Sequence, residues 1–411
     1  MKFNATKVYQ LLFVITILLQ LYLSSFKINI LFQLFILVVF FYFEGFKIPK
    51  SLVKFLIPLV SIFFLGFAGT IINNYELFNV FKDISHFIKP LLGLSIGYLF
   101  FKKINNFELF IKAIVCAGLI SAILHFIIIL FFSNFGSVSG IREFGRDNFL
   151  ELFALFFLVF YKKFKTRKIF DENLYYIIII LIISLSVIAY FSRTMIVVAI
   201  ITLITIYGYS IITLRTIKFC GLFFIAIFAF YIYLFSIKID RENFLYKIRN
   251  VPAEIFETKI NRENHSDLWD HWRAYEAKRA FELMKQNPTS FIFGCGYGSL
   301  VNLKFFAPLN DDKKGLKYIS ELHNGFMYLL YKTGILGILI YFMFLINMYK
   351  KIYHNKDIIT TYISAIGLTY IFTTITITGI YNGRDILIFI LGALLFFNFS
   401  SNQSKHLRFS H

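Results

Sequence analysis

A histidine at the start of an apolar run is the strongest chemical signal in this chain. His323 and Asn324 immediately precede the run from Phe326 to Met348, which is long enough to cross a membrane. The positive end of a helix dipole lowers the pKa of a nearby histidine and favours the neutral imidazole, the form that a general base needs. We therefore expect His323 to accept a proton from a substrate; the alternative is a histidine with a purely structural role.

Isolated arginines form the second chemical signal. Arg193 lies between two apolar runs, Arg273 lies in the only long polar segment, and Arg142, Arg146 and Arg384 lie in short connections. The planar guanidinium group stays charged and binds phosphate oxygens in pairs. We expect these side chains to meet the diphosphate of a lipid-linked substrate at the membrane surface. The alternatives are an Arg193 that extends to lipid headgroups and an Arg273 on a solvated helix face.

A base and several arginines at a lipid–water boundary suit glycosyl transfer from a polyprenyl diphosphate. Arginine charge stabilises the diphosphate leaving group, and His323 takes the proton of the acceptor sugar hydroxyl. A single displacement of this kind inverts the anomeric carbon. The sequence contains no HExxH motif, no Cys/His ligand spacing and no nucleophile elbow, so we expect neither a metal ion nor a cofactor.

The composition places this chemistry in a membrane protein. Of the 411 residues, 58% are hydrophobic and only 16% are charged, whereas soluble domains carry about 25% charged residues. The net charge of +19 is compatible with nucleic-acid binding, but in a membrane protein basic residues accumulate in cytoplasmic connections. We therefore expect a lipid bilayer and no nucleic acid as the partner.

Hydropathy predicts an all-α polytopic membrane protein with about twelve transmembrane helices. The predicted spans lie near residues 8–24, 28–44, 53–72, 87–101, 111–133, 148–161, 174–191, 194–213, 217–237, 325–349, 357–380 and 386–399. Lysine and arginine accumulate in alternate connections, which the positive-inside rule places in the cytoplasm together with both termini. The predicted domains are spans one to nine (1–237), a long outer loop (238–322), spans ten to twelve (323–400) and a cytoplasmic tail (401–411).

The long outer loop contains two recognisable parts. A helix capped by Ser266 and running to about Gln286 carries an apolar stripe and an opposite charged face, which predicts an amphipathic helix lying along the interface. The glycine-rich segment Phe293 to Gly298 follows it. We interpret this segment as a flexible turn rather than a phosphate cradle, because Ser299 stands where a dinucleotide fingerprint needs its last glycine.

The order of several short motifs resembles the O-antigen ligase and polymerase superfamily of polytopic glycosyltransferases. The motifs that carry the resemblance are Ser192-Arg193-Thr194, Trp272-Arg273-Ala274, Asn287-Pro288, Phe293-Gly294-Cys295-Gly296-Tyr297-Gly298, and His323-Asn324 followed by Leu329, Gly334 and Gly337. The loop from Arg142 to Asn148 also resembles an arginine-bearing loop of that family. The similarity covers roughly residues 140–350, and its specific part is the ordered combination.

The resemblance implies an inverting, metal-independent transfer of glycan from undecaprenyl diphosphate at the periplasmic face of the bacterial inner (plasma) membrane. It places the essential histidine at His323 and diphosphate-binding arginines at Arg193, Arg273 and Arg142. Asn324, Arg146 and Arg384 are additional candidates, the two arginines on geometry alone. The implied partners are an undecaprenyl-diphosphate-linked oligosaccharide, an acceptor glycan or lipid A-core, a chain-length regulator and a flippase.

Two enzymatic alternatives and two others stay open. A polymerase transfers the growing glycan to the next lipid-linked repeat unit, and we favour it on the Phe-, Ile-, Lys- and Asn-rich composition. A ligase, favoured by the single long outer loop, transfers the finished glycan to lipid A-core. A polysaccharide flippase predicts ionisable residues within the membrane and an internal repeat. We expect no ionisable residue deep in spans seven to twelve, and no repeat, so this sequence favours an enzyme over a flippase or a scaffold.

Overall fold

The computed structural model describes residues 5–23, 25–45, 47–132, 148–163, 173–239, 244–250, 268, 271–309 and 315–408. Among these residues, nine helices precede the segment 238–322, which is named the outer segment after its predicted location. They are α1 (Ala5–Tyr22), α2 (Phe26–Phe43), α3 (Lys50–Ile72), α4 (Leu77–Ile104), α5 (Phe107–Phe132), α6 (Phe149–Val159), α7 (Asn173–Ala189), α8 (Arg193–Ile206) and α9 (Leu214–Ser236). The outer segment contains α10 (Phe244–Arg249), α11 (Trp272–Gln286), α12 (Ser290–Phe293), β1 (Val301–Ala307) and β2 (Leu316–Ile319). The last elements are α13 (Gly325–Tyr349), α14 (Lys351–His354), α15 (Ile358–Thr376), a 3-10 turn (Gly379–Tyr381) and α16 (Leu387–Arg408).

The predicted all-α polytopic architecture is confirmed. Each of the twelve predicted spans coincides with a helix of the described chain. In the part of the chain that the structure describes, seven helical segments are long and apolar enough to cross a membrane, and α1, α6, α7, α8 and α16 contain shorter apolar stretches. The predicted tight connection between spans seven and eight is also present, because α7 ends at Ala189 and α8 begins at Arg193.

The tightest helix pair in the membrane domain is α4 with α16. The two backbones approach so closely that a Cβ atom added at Gly97 would lie 2.0 Å from the Phe389 carbonyl oxygen, and one added at Gly392 would lie 2.2 Å from the Leu94 oxygen. Small residues allow such approach between transmembrane helices. Helix α15 packs against α16 of this pair, and α13 contacts α4 through the Phe87 and Tyr328 rings.

Contacts at both ends of α13 fix its direction relative to α8. At its end, the Tyr349 hydroxyl donates to the Ser210 carbonyl at 2.6 Å, just after α8. At its start, the Gly325 N–H donates to the Ile377 carbonyl at 2.8 Å, just after α15. Because α8 packs along α15, the beginning of α8 lies at the same end of the bundle as the beginning of α13.

The outer segment differs from the predicted amphipathic helix at a membrane surface. Helix α11 begins at Trp272 in the described chain, whereas the predicted cap, Ser266, lies outside the described residues. The expected charged face is partly buried, since Glu276 and Arg279 are enclosed where α11 packs against β1 and α13. The antiparallel pair β1–β2 was not predicted, although Val301 to Phe305 alternates apolar and polar residues as a half-buried strand does.

The expectation that no ionisable side chain lies deep in spans seven to twelve is wrong. Lys332 lies two turns into α13 and is fully buried. Its ammonium group is 2.5 Å from the carboxylate of Asp83, which is fully buried in α4. The pair is compatible with the membrane interior because each charge faces an opposite charge.

Candidate functional site

The candidate base stands between the strand pair and a transmembrane helix. His323 follows β2 by a few residues and precedes α13 by two. Asn324 caps that helix, because its side-chain oxygen accepts the Met327 N–H at 3.1 Å. The structure therefore gives Asn324 a defined local role, which is to start α13 where His323 has to stand.

A buried glutamate holds His323. Both carboxylate oxygens of Glu276 lie 3.1 Å from His323 Nδ1, and the His323 backbone N–H donates to Glu276 Oε2 at 2.9 Å. The Glu276 side chain is 1% exposed, whereas that of His323 is 52% exposed. A carboxylate on Nδ1 makes that nitrogen the protonated one in a neutral ring, so the lone pair is on Nε2.

The electrostatics of His323 differ from the prediction. Burial disfavours the charged ring and Arg273 also opposes it, but the hydrogen bonds and charge of Glu276 outweigh both and raise the pKa of His323 above its ordinary 6.5. The predicted lowering by the helix dipole is therefore wrong in direction. A histidine whose pKa is raised is a stronger base, which suits proton removal from a sugar hydroxyl.

Arg273 lies close enough to His323 to influence its titration. It stands in the first turn of α11, three residues before Glu276, and is partly buried. Its positive charge acts on the imidazole in the direction opposite to that of Glu276. The structure thus brings together the predicted base, one predicted arginine and an unpredicted glutamate.

Arg193 lies at the same end of the bundle as His323. It is the first residue of α8, whose start is capped by the Ser192 hydroxyl accepting the Met195 N–H at 3.2 Å. The direction of α8 relative to α13 places this cap at the outer end if His323 is at the outer end. Arg142 and Arg146 lie within 133–147, outside the described residues, so their placement stays a prediction.

A cavity of about 1040 Å³ opens beside His323. Its wall includes Arg384, Glu321 and His323, together with residues of the α1–α2 connection and the first turns of α4. Arg384 is held in place through its neighbours, since the Gln20 side chain donates to the Gly383 carbonyl at 2.6 Å and Lys89 donates to the Asn382 carbonyl at 2.6 Å. The prediction of Arg384 as a candidate is therefore compatible with a site shared with His323.

Glu321 carries a negative charge at the cavity wall. Burial would raise its pKa, but hydrogen bonds and charges from His86 and Lys82 lower the pKa of Glu321 to about 2. The carboxylate lies 3.0 Å from His86 Nε2 and 3.3 Å from Lys82 Nζ. The Phe26 ring stacks on His86 with 4.1 Å between centroids, which fixes the imidazole against the wall.

The glycine-rich segment is a rigid support and not the flexible turn that we expected. Gly294, Gly296 and Gly298 all have positive φ angles, and a Cβ atom at Gly296 would lie 2.2 Å from the Thr70 backbone nitrogen. Lys332 Nζ donates to the Ser299 carbonyl at 2.6 Å. The segment is therefore bound into the membrane domain rather than free above it.

Helix α13 is interrupted where the end of α12, just before the glycine-rich segment, packs against it. Gly334 has φ +69° and ψ −171°, so the helix is interrupted there. A Cβ atom at this position would lie 2.1 Å from the Ile292 carbonyl oxygen at the end of α12. The break lets the outer segment and the first half of α13, which follows His323, pack as one unit.

Glu276 is a candidate site residue that the sequence does not single out. It stands 47 positions before His323, in a helix whose charged residues were interpreted as solvated. One signal was available, because an acidic residue three positions after Arg273 lies on the same helix face. Within the described parts of the chain, no three His, Cys, Asp or Glu side chains come together as a metal-binding group.

Residues 177–342 match the family model described as O-antigen ligase. The matched region contains Arg193, Arg273, Glu276 and His323, whereas Arg142 and Arg384 lie outside it. No curated protein sequence matches this chain. The family match confirms the resemblance to the O-antigen polymerase and ligase superfamily.

Proposed function

Given the O-antigen ligase domain at residues 177–342, we propose that this membrane glycosyltransferase is an O-antigen polymerase that uses undecaprenyl-diphosphate-linked glycan as its donor. The observation that carries the proposal is the His323–Glu276 pair at the edge of a cavity. The pair supplies a base for the acceptor hydroxyl, and the arginines predicted around it supply positive charge for the leaving group.

The proposed step is one displacement with balanced proton transfer. Nε2 of His323 takes the proton of an acceptor sugar hydroxyl as the oxygen attacks the anomeric carbon of the donor. The bond from that carbon to the diphosphate oxygen breaks, and its electron pair leaves with undecaprenyl diphosphate. Attack opposite to the leaving group inverts the anomeric carbon. Arg193 and Arg273 neutralise the diphosphate, so the proposed transfer requires no metal ion.

Glu276 has an orienting and electrostatic role in this scheme. Its carboxylate is almost completely enclosed and accepts the Nδ1–H, so the ring cannot rotate without losing that bond. When His323 takes the proton, the positive imidazolium forms next to the negative carboxylate. Such an arrangement stabilises the charge that develops at the base during the reaction.

A ligase is the second candidate, because the matching family model is described as O-antigen ligase. Both enzymes use the same donor and the same base, and they differ only in the acceptor. The basic side chains of the cavity next to His323 suit the anionic lipid-linked acceptor of either enzyme. We favour the polymerase on the Phe-, Ile-, Lys- and Asn-rich composition.

The test is a lipopolysaccharide gel from a strain lacking this gene, complemented with wild type, His323→Ala or His354→Ala. We expect core carrying one repeat unit in the deletion strain, and a full ladder restored by wild type and His354→Ala but not by His323→Ala. His354 is the matched control, because it is an exposed histidine in α14, just beyond the opposite end of α13. Membrane abundance of each variant is measured on the same cells.

Other outcomes are equally informative. Bare core with polymer left on the lipid carrier assigns the ligase reaction. An unchanged ladder in the deletion strain, or a ladder restored by His323→Ala, contradicts the proposal.

A further inference from the structure

The cavity beside His323 contains a group of basic residues separate from Arg193 and Arg273. Lys27, Lys82, His86 and Arg384 line it, and among the described lining residues Glu321 is the only carboxylate. Arg193 and Arg273 do not line it. His323 therefore lines this basic cavity and also lies near Arg273, which is outside the lining.

Two of these basic side chains, Lys27 and Lys82, are exposed to a ligand. Lys82 is 41% exposed and pairs only with Glu321 in the contacts that the structure shows for it, at 3.3 Å. Exposed pairs of this kind contribute little stability, so an incoming anion displaces Glu321 from the lysine at small cost. Lys27 lies over the Phe78 ring at 4.9 Å, at the rim of the same cavity.

Exposed apolar side chains lie at the rim of the cavity. Phe78 and Phe81 both line the cavity and remain more than half exposed. Leu77 and Ile28, at the starts of α4 and α2, are also exposed. A site with basic residues inside and apolar residues at the rim matches a molecule with an anionic head and a hydrocarbon tail.

Building on the proposed function, we propose that this cavity binds the acceptor, a second polyprenyl-diphosphate-linked glycan. Lys27, Lys82 and Arg384 contact its diphosphate, and its sugar reaches His323 within the same cavity. The cavity volume of about 1040 Å³ is at the upper end of ordinary ligand pockets, so it accommodates sugar as well as phosphate. The protein then has two lipid-diphosphate subsites near one base.

The test is native mass spectrometry of the purified full-length protein in detergent with undecaprenyl diphosphate as the probe. We expect two molecules bound per chain in wild type and one in Lys27→Gln/Lys82→Gln. We also expect one bound molecule in Arg193→Gln/Arg273→Gln, and none in the variant that carries all four substitutions. An equal concentration of phosphatidylglycerol should not displace either molecule, which separates a diphosphate subsite from general headgroup binding.

A kinetic measurement tests whether the cavity binds the acceptor without counting bound lipid molecules. In a polymerisation assay, Lys27→Gln/Lys82→Gln should raise the KM for acceptor about 10-fold or more and leave the KM for donor unchanged, while Lys82→Arg stays near wild type. Thermal unfolding of each variant confirms that it is folded. One bound molecule in wild type, two in the lysine variant, or displacement by phosphatidylglycerol overturns the proposal.

The two proposals fail in different ways. If His323→Ala keeps its activity, the proposed function is wrong, whereas the binding stoichiometry still tests the cavity. If His323→Ala is inactive and wild type binds only one lipid diphosphate, the base is correct and the second subsite is not.

Discussion

Two acid–base pairs lie nine positions apart near the start of α13, and they have opposite surroundings. Lys332 and Asp83 are completely buried, and both also bind the glycine-rich segment, the lysine through Ser299 and the carboxylate through the Gly298 N–H at 2.7 Å. His323 is half exposed at a cavity and uses only one ring nitrogen on Glu276.

The two pairs differ in role: the lysine pair holds segments together, and the histidine pair is open to a substrate. The lysine pair connects three segments that are far apart in the chain, and no solvent reaches either charge. The histidine pair leaves one nitrogen for a substrate and keeps its acid out of solvent. Charge in a membrane protein is therefore not in itself evidence of a transport path, because the surroundings of each charge determine its role.

The largest expected effect is on the buried pair. Lys332→Ala leaves the Asp83 carboxylate buried without its counter-ion, which costs about 3–5 kcal/mol of folding free energy. We expect loss of the protein from the membrane, measured as abundance and as the midpoint of thermal unfolding. Asp83→Asn/Lys332→Met removes both charges and should restore much of the loss. A stable Lys332→Ala protein that is merely inactive would assign this pair to catalysis instead.

The next largest effect is expected in the glycine-rich segment, which the buried pair binds. Gly296→Ala forces a Cβ atom to within 2.2 Å of the Thr70 backbone, in addition to about 1–2 kcal/mol for a side chain in the left-handed region. We expect a fall in unfolding midpoint well beyond that of Gly208→Ala. Gly208 has a similar positive φ with nothing within 4 Å of its Cβ position, so it is the control for backbone strain alone. Equal effects of the two substitutions would mean that the segment is not packed as described.

Substitution at the histidine pair should lower stability less than the changes above and should lower activity clearly. Glu276→Gln keeps a hydrogen-bond acceptor but removes the charge, so we expect a decrease in kcat of about 10²-fold or more. The control is Glu282→Gln on the same helix, because Glu282 is partly exposed and pairs with Arg279. Glycan transfer by purified protein in detergent is the measurement. Wild-type kcat in Glu276→Gln would show that the glutamate is only structural.

The smallest expected effect is a shift in pH dependence. His323 acts as a base only when neutral, so activity should fall as pH decreases through its raised pKa. Stability has the opposite sign, because the charged pair stabilises the fold fully below the ordinary pKa of 6.5 and is lost as pH rises through the raised pKa. In Glu276→Gln the acidic limb of the rate profile should move to lower pH. An acidic limb in the same place would exclude Glu276 as the cause of the raised pKa.

The sequence predicts the membrane helices well because length and hydropathy are local properties. It also indicates His323, since an isolated polar residue beside an apolar run is visible without a structure, whereas Arg273 is indicated by its place in the ordered motifs. Glu276 and Asp83 are not visible in this way, because each gains its role from a partner 47 or 249 positions away. Lys332 was overlooked because one lysine does not change the average hydropathy of a long apolar helix.

The tight packing of the glycine-rich segment against the membrane helices limits how this region can be exchanged between proteins. Tyr297 is fully buried, and its backbone N–H donates to the Gly66 carbonyl and the Thr70 hydroxyl of α3. A graft of residues 238–322 from another protein would have to bring the matching surfaces of α3, α4 and α13 with it. If acceptor preference is to be changed, substitutions in the α1–α2 connection and in the turn before α16 are the better choice. They leave the hydrogen bonds between Tyr297 and α3 in place.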